Sequence, residues 1–202
     1  MTAELTRMLL DARGKLPGAV PETINAEFYA VAREFCDFTN AWYEEIDIPI
    51  VPGTLTYTFS PAADGRIKRL LNLYESTDLN KRPIAAVRMD LPGTIVLAQD
   101  PGVTATWVAK VSKVPITESG GSASMPDWLF QQYWDTFLAG ILSRMHMMGG
   151  KPFSNPQMGV VQRRIFLKGM VDARVEALVG NVRGQPTWNF PAFGRGSQRR
   201  VG

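Results

Sequence analysis

The large apolar residues of this chain change their spacing twice, and that change limits the folds open to it. From Pro21 onward, Ile24, Phe28, Val31, Phe35, Phe38 and Trp42 follow at steps of four and three. That is one wide apolar stripe over about five helical turns. Pro21 suits the first turn, because its fixed φ is helical and its missing N–H would be unpaired there anyway. Near residue 46 the period becomes two. Leu55, Tyr57 and Phe59 alternate with Thr54, Thr56 and Thr58, and Ala105, Trp107, Ala109 and Val111 alternate likewise. Ile67 to Tyr74 and Thr94 to Ala98 also read as strands, while Ile84 to Met89 fits a strand or a helical turn. Pro52-Gly53, Asp64-Gly65, Pro92-Gly93 and Pro101-Gly102 punctuate the region with turns. Short strands spaced this way predict a small antiparallel sandwich or barrel.

Helical spacing brackets that region. Leu5, Met8, Leu9 and Ala12 predict an opening helix stopped by Gly14 and Pro17-Gly18. Phe130, Trp134, Phe137, Ile141 and Met145 predict a helix opened at Pro126 and closed by Gly149-Gly150, and Ala139-Gly140 would let another helix approach closely at mid-length. A last helix is predicted from the N-cap Asn155 and Pro156 through Val161, Ile165, Phe166, Met170, Ala173 and Ala177 to Gly180. The expected fold is α+β, a helical bundle from both chain ends with an inserted β module and an extended C-terminal tail. Residues 1–45 and 126–180 form the bundle, 46–115 the module, 116–125 a Gly/Ser-rich linker and 181–202 the tail.

Composition sharpens the reading of the tail. The chain has 202 residues and a net charge of +3, yet 181–202 holds Arg183, Arg195, Arg199 and Arg200 and no acid. The other 180 residues carry 18 basic and 19 acidic groups, so the body is close to neutral. Ordering the tail would cost roughly 1 to 2 kcal/mol per residue in backbone entropy. Burying Trp188, Phe190 and Phe193 returns only about 1.5 to 3 kcal/mol each. The tail is therefore expected to order only along a partner, as a docking strand.

Catalytic chemistry finds little to work with. His146 is the only histidine and Cys36 the only cysteine, which excludes an intrachain disulfide and multi-histidine metal chemistry. His146 is expected to satisfy carbonyls at a helix end, and Cys36 to be a buried small hydrophobe. Glu44-Glu45 reads as a solvated helix end, Met145, Met147 and Met148 as packing, and Arg163-Arg164 as the wet face of the last helix. There is no Gly-x-Ser-x-Gly, no Gly-x-Gly-x-x-Gly and no phosphate loop at Gly14-Lys15. No enzyme, metal or cofactor is expected. No apolar run approaches the roughly 20 residues that span a bilayer, and the N-terminus lacks a signal-peptide pattern.

The order of elements resembles the head-to-tail adaptor proteins of tailed bacteriophages, the tail tubular protein A type. The matching features begin with a helix ending in Leu16-Pro17-Gly18-Ala19, then one with Glu27-Phe28, Phe35-Cys36 and Trp42. A Gly53-x-x-x-Tyr57 strand entry, a strand closing in Val114-Pro115 and Met125-Pro126-Asp127-Trp128 opening an aromatic helix follow. The resemblance runs from about residue 5 to 180. It implies a non-enzymatic ring, usually of twelve copies, between the portal and the tail nozzle or tube, with DNA passing through its lumen unread. It places the chain in the virion, made in the host bacterial cytoplasm, with a C-terminal segment reaching the portal. Trp188, Phe190, Phe193, Arg195, Arg199 and Arg200 are the expected portal-docking residues. The rival readings are a basic-armed nucleic-acid-binding regulator, marked by salt-sensitive binding, and a small hydrolase using His146.

Overall fold

The computed structural model describes residues 3–61, 65–84, 87–116 and 125–179. The docking tail, Gly180, Asp64 and most of the expected linker lie outside the described residues. Helix α1 (Ala3–Lys15) buries Leu5, Met8 and Ala12, as its spacing requires. Helix α2 (Pro21–Thr39) follows an extended Val20 and buries Ile24, Phe28, Val31 and Phe35 along one line. It ends earlier than the apolar stripe does. Asn40 adopts the left-handed conformation (φ 54°), and its N–H reaches the Cys36 carbonyl at 3.1 Å. The Thr39 hydroxyl donates to the Phe35 carbonyl and accepts from the Ala41 N–H, which closes the turn. Trp42 thus keeps its place in the bundle core without being helical.

The chain then enters β1 (Tyr43–Ile50), so Glu44-Glu45 stands in a strand and not at a helix end. After it come β2 (Thr56–Thr58), β3 (Arg66–Glu75), β4 (Val87–Leu91), β5 (Thr94–Leu97) and β6 (Ala105–Val114). They make two three-stranded sheets, ordered β1-β6-β3 and β2-β5-β4, with antiparallel neighbours throughout. Ile48, Ile50, Ile67, Leu73, Ala109 and Val111 of the first sheet share a core with Tyr57, Ile95 and Leu97 of the second. Two sheets closing on one apolar layer make a sandwich, not a barrel. The turn between β4 and β5 needs Gly93, whose φ is 82° and where a Cβ would lie 2.4 Å from the Phe59 carbonyl oxygen. Of the segment Ile84 to Met89, which fitted either strand or helical turn, the part from Val87 on is strand and opens β4.

Helices α3 (Asp127–His146) and α4 (Pro156–Val179) complete the bundle. Asn155 caps α4 through its side-chain oxygen, which accepts from the Met158 N–H at 3.2 Å. Gly140 is the close approach at mid-length of α3: a Cβ there would sit 2.5 Å from Val31 Cγ1 and 3.0 Å from Phe166 Cδ2. Both α2 and α4 therefore press on α3, and together α2 and α3 stand between α1 and α4. Phe28, Phe35, Phe130 and Phe137 meet in the centre, with ring centroids 4.7 to 6.2 Å apart. One expectation for α4 fails. Phe166, Met170 and Ala173 are buried, but Val161 and Ile165 are nearly half exposed. Apolar residues occur all around this helix, so spacing alone does not say which line faces the core.

Candidate interaction surface

Three helices meet in a charged clasp. From α2 come Glu27 and Glu34, from α3 Arg144 and from α4 Arg163. Arg144 lies 3.0 Å from Glu34 and 3.4 Å from Glu27, and Arg163 pairs with the other oxygen of Glu34. Burial acts to raise the Glu34 pKa, but the hydrogen bonds and charges of Arg163 and Arg144 outweigh it and hold the carboxyl below its ordinary range. Arg163 also lies over the Phe166 ring, so of the two arginines expected on the wet face Arg163 is only partly exposed and Arg164 is exposed. The clasp floors an open groove of about 770 Å³, walled by Met147, Met148 and Val160. The two clasp cations, Arg144 and Arg163, are already matched by carboxylates, Arg164 lines the groove's edge, and the hydroxyl of Ser143 is turned to the Gly140 carbonyl at 2.7 Å. This arrangement ties helices together and presents no nucleophile.

The other residues singled out from the sequence are structural as well. His146 Nδ1 lies 2.8 Å from the Phe153 carbonyl oxygen, and the His146 carbonyl accepts from the Asn155 N–H at 2.9 Å. The imidazole thereby ties the end of α3 to the loop that starts α4. Cys36 is fully buried, and burial pushes its thiol pKa up, away from a reactive thiolate. Met145 is in the core while Met147 and Met148 wall the groove, so the three methionines do not converge on one site. Glu44 and Glu45 point to opposite faces of β1. Glu44 holds the buried Lys113 ammonium at 2.8 Å, and Glu45 pairs with Lys81. Among the described residues no three His, Cys, Asp or Glu side chains gather as metal ligands.

What the bundle leaves uncovered is the outer side of α4. Val160, Leu167, Val171, Val175 and Leu178 line it, from 43% to 76% exposed. Beside Leu167, Val171 and Val175 runs a row of charges at steps of four: Arg164, Lys168, Asp172 and Glu176. Glu176 also accepts from the Tyr133 hydroxyl at 2.9 Å. At the C-terminal end of α4, Tyr43, Trp128 and Tyr133 surround a hollow of about 420 Å³ beside Glu176 and Ala177. The face escaped a reading based on spacing, although its signal was present: aliphatic residues on more than one side of a single helix.

No family model matches the chain, and no curated protein matches it either. The surface is therefore read on its own chemistry. Trp188, Phe190, Phe193, Arg195, Arg199 and Arg200, expected to dock on a portal, lie outside the described residues, so the described surface ends where the tail begins. None of the described helices is long and apolar enough to cross a membrane.

Proposed function

We propose that this chain is a structural head-to-tail adaptor of a tailed bacteriophage, a ring subunit that joins the portal to the tail nozzle or tube. The observation that carries the reading is the outer face of α4, an aliphatic strip that the fold itself leaves uncovered. Monomeric proteins seldom expose contiguous apolar patches of this kind unless a protein partner covers them. A clasp of matched charges and a histidine committed to a backbone carbonyl favour assembly over catalysis. The order of elements, helices enclosing a β sandwich with an arginine- and aromatic-bearing tail, supports the same reading.

On this reading the bundles stand side by side as the ring wall, in a heterologous contact that closes because its rotation closes. The tail lies along the portal, with Trp188, Phe190 and Phe193 as anchors and its arginines meeting acidic groups. Repetition around the ring makes a modest single contact durable. A near-neutral body suits a conduit, since a strongly basic lumen would retain the DNA polyanion. The decisive experiment is truncation after Gly180. The shortened chain should fold and fail to bind the portal, as read by native mass spectrometry of the mixture. Unimpaired portal binding by that truncation would end the docking role.

A further inference from the structure

Arg164, Lys168, Asp172 and Glu176 read plus, plus, minus, minus along the exposed side of α4. Side chains at steps of four form one continuous ridge on a helix. A second ridge beside it is aliphatic: Leu167, Val171 and Val175. Among the described residues Arg164, Lys168 and Asp172 have no ion-pair partner, and Arg174 lies away from this ridge, over the Phe38 ring. A plus-plus-minus-minus row is complementary to its own reverse. Laid antiparallel on a second copy and centred between residues 168 and 172, it brings Lys168 to Asp172 and Arg164 to Glu176, each pair occurring twice. A parallel alignment in register would set Lys168 against Lys168 and Asp172 against Asp172, and like charges oppose it.

The apolar ridge is centred on Val171, one residue beyond that centre. Leu167 lies on one side of the charge centre and Val175 somewhat farther out on the other, and Val171 falls next to the axis. The face is also large enough. Helix α4 has 24 residues, a length of about 36 Å at the usual rise. Its half-exposed aliphatics present on the order of 500 Å², at the upper end of what a monomer exposes. The flanking Arg and Lys stems bring it near the ~800 Å² that each partner contributes to a standard interface.

We propose that two copies of this chain pair through the outer faces of their α4 helices, antiparallel about a two-fold axis near residue 170. Val171 meets Val171 across the axis, between reciprocal Lys168–Asp172 ion pairs. This contact involves no tail residue and no portal, but it occupies the same α4 strip on which the adaptor reading draws, so a copy paired in this way keeps that strip out of a heterologous ring contact.

Sedimentation velocity of the full chain should show a concentration-dependent dimer. Val171→Asp puts two unpaired charges at the axis and should weaken pairing by about 100-fold, while leaving the far-ultraviolet circular dichroism of the protomer unchanged. Lys168→Asp and Asp172→Lys should each weaken it about tenfold. The double swap within one chain restores both pairs only if the contact is antiparallel and reciprocal, so it should recover the dimer. Val171→Cys should cross-link to itself under mild oxidation, with Cys36 buried out of reach. Val160→Cys should not, because the two copies of residue 160 would lie about 30 Å apart at opposite ends of the pair. A chain that stays monomeric at about 100 µM overturns the proposal. So does a dimer indifferent to Val171→Asp, or a double swap that fails to restore it. A closed ring that persists in Val171→Asp would refute this pairing and show that the ring does not close through this strip, while portal binding lost on truncation after Gly180 tests the adaptor reading separately.

Discussion

Helices α2 and α4 belong to one bundle and treat their apolar residues differently. Nearly all the large apolar residues of α2 lie on one line, and that line is covered by α1, α3 and α4. In α4, Phe166, Met170 and Ala173 face inward, while Leu167, Val171, Val175 and Leu178 face out. The first helix spends its hydrophobicity on the fold. The second keeps a share that the fold does not use, and apolar area left in water is a driving force still available for association. A helix apolar on two sides therefore says something about partners that an amphipathic one does not.

The contrast can be broken by mutation, with the largest effects expected in the covered line. Phe35→Ala empties a fully buried site between Tyr133 and Phe137 and should cost about 3 to 5 kcal/mol in urea unfolding. A loss below about 1 kcal/mol would show that the centre of the bundle is looser than its packing implies. Next comes Gly140→Ala, whose new methyl would meet Val31 and Phe166; it should cost about 1 to 3 kcal/mol by overpacking. Asn155→Ala removes the cap of α4 and should cost about 1 kcal/mol.

The clasp adds a pH signature of similar size. Glu34 has a folded pKa below its unfolded one, so its contribution is complete above the unfolded value and fades as pH falls through the folded one. Glu34→Gln should lower stability at neutral pH by about 1 kcal/mol, given how much solvent reaches the pair, and flatten the acid limb of the stability curve. An acid limb that is equally steep in the variant would remove the clasp from the account. The smallest effect belongs to the uncovered line. Val171→Ser should change the stability of the isolated protomer by no more than about 0.5 kcal/mol in dilute urea titrations. A cost like that of Phe35→Ala would mean that this face is not free at all.

Spacing revealed the helices and most of the strands, because the difference between periods of 3.6 and 2 survives without any tertiary knowledge. It failed where two periods overlap. Trp42 continues the helical steps, yet Asn40 has already turned the chain, and the alternation of Ile46, Ile48 and Ile50 begins behind it. Pro49 concealed that strand further, since a proline cannot donate to a ladder. It is tolerated because β1 is an edge strand. The clasp was illegible for another reason: Glu34, Arg144 and Arg163 are far apart in sequence, and no local pattern announces their meeting. For α4 the composition was visible and the facing was not. The close approaches at Gly140, Gly159 and Gly169 mark the side of α4 that turns inward.

Strands β1 and β6 lie antiparallel and each crosses from one apolar core to the other. The segment leading into β1 has Trp42 in the bundle, and the strand ends with Ile50 in the sandwich; β6 carries Val111 in the sandwich and Val114 in the bundle. Lys113, clamped to Glu44 beneath the Trp42 ring, rivets the crossing. Tension applied to the sandwich would thus run along a doubled, hydrogen-bonded cable into the helices.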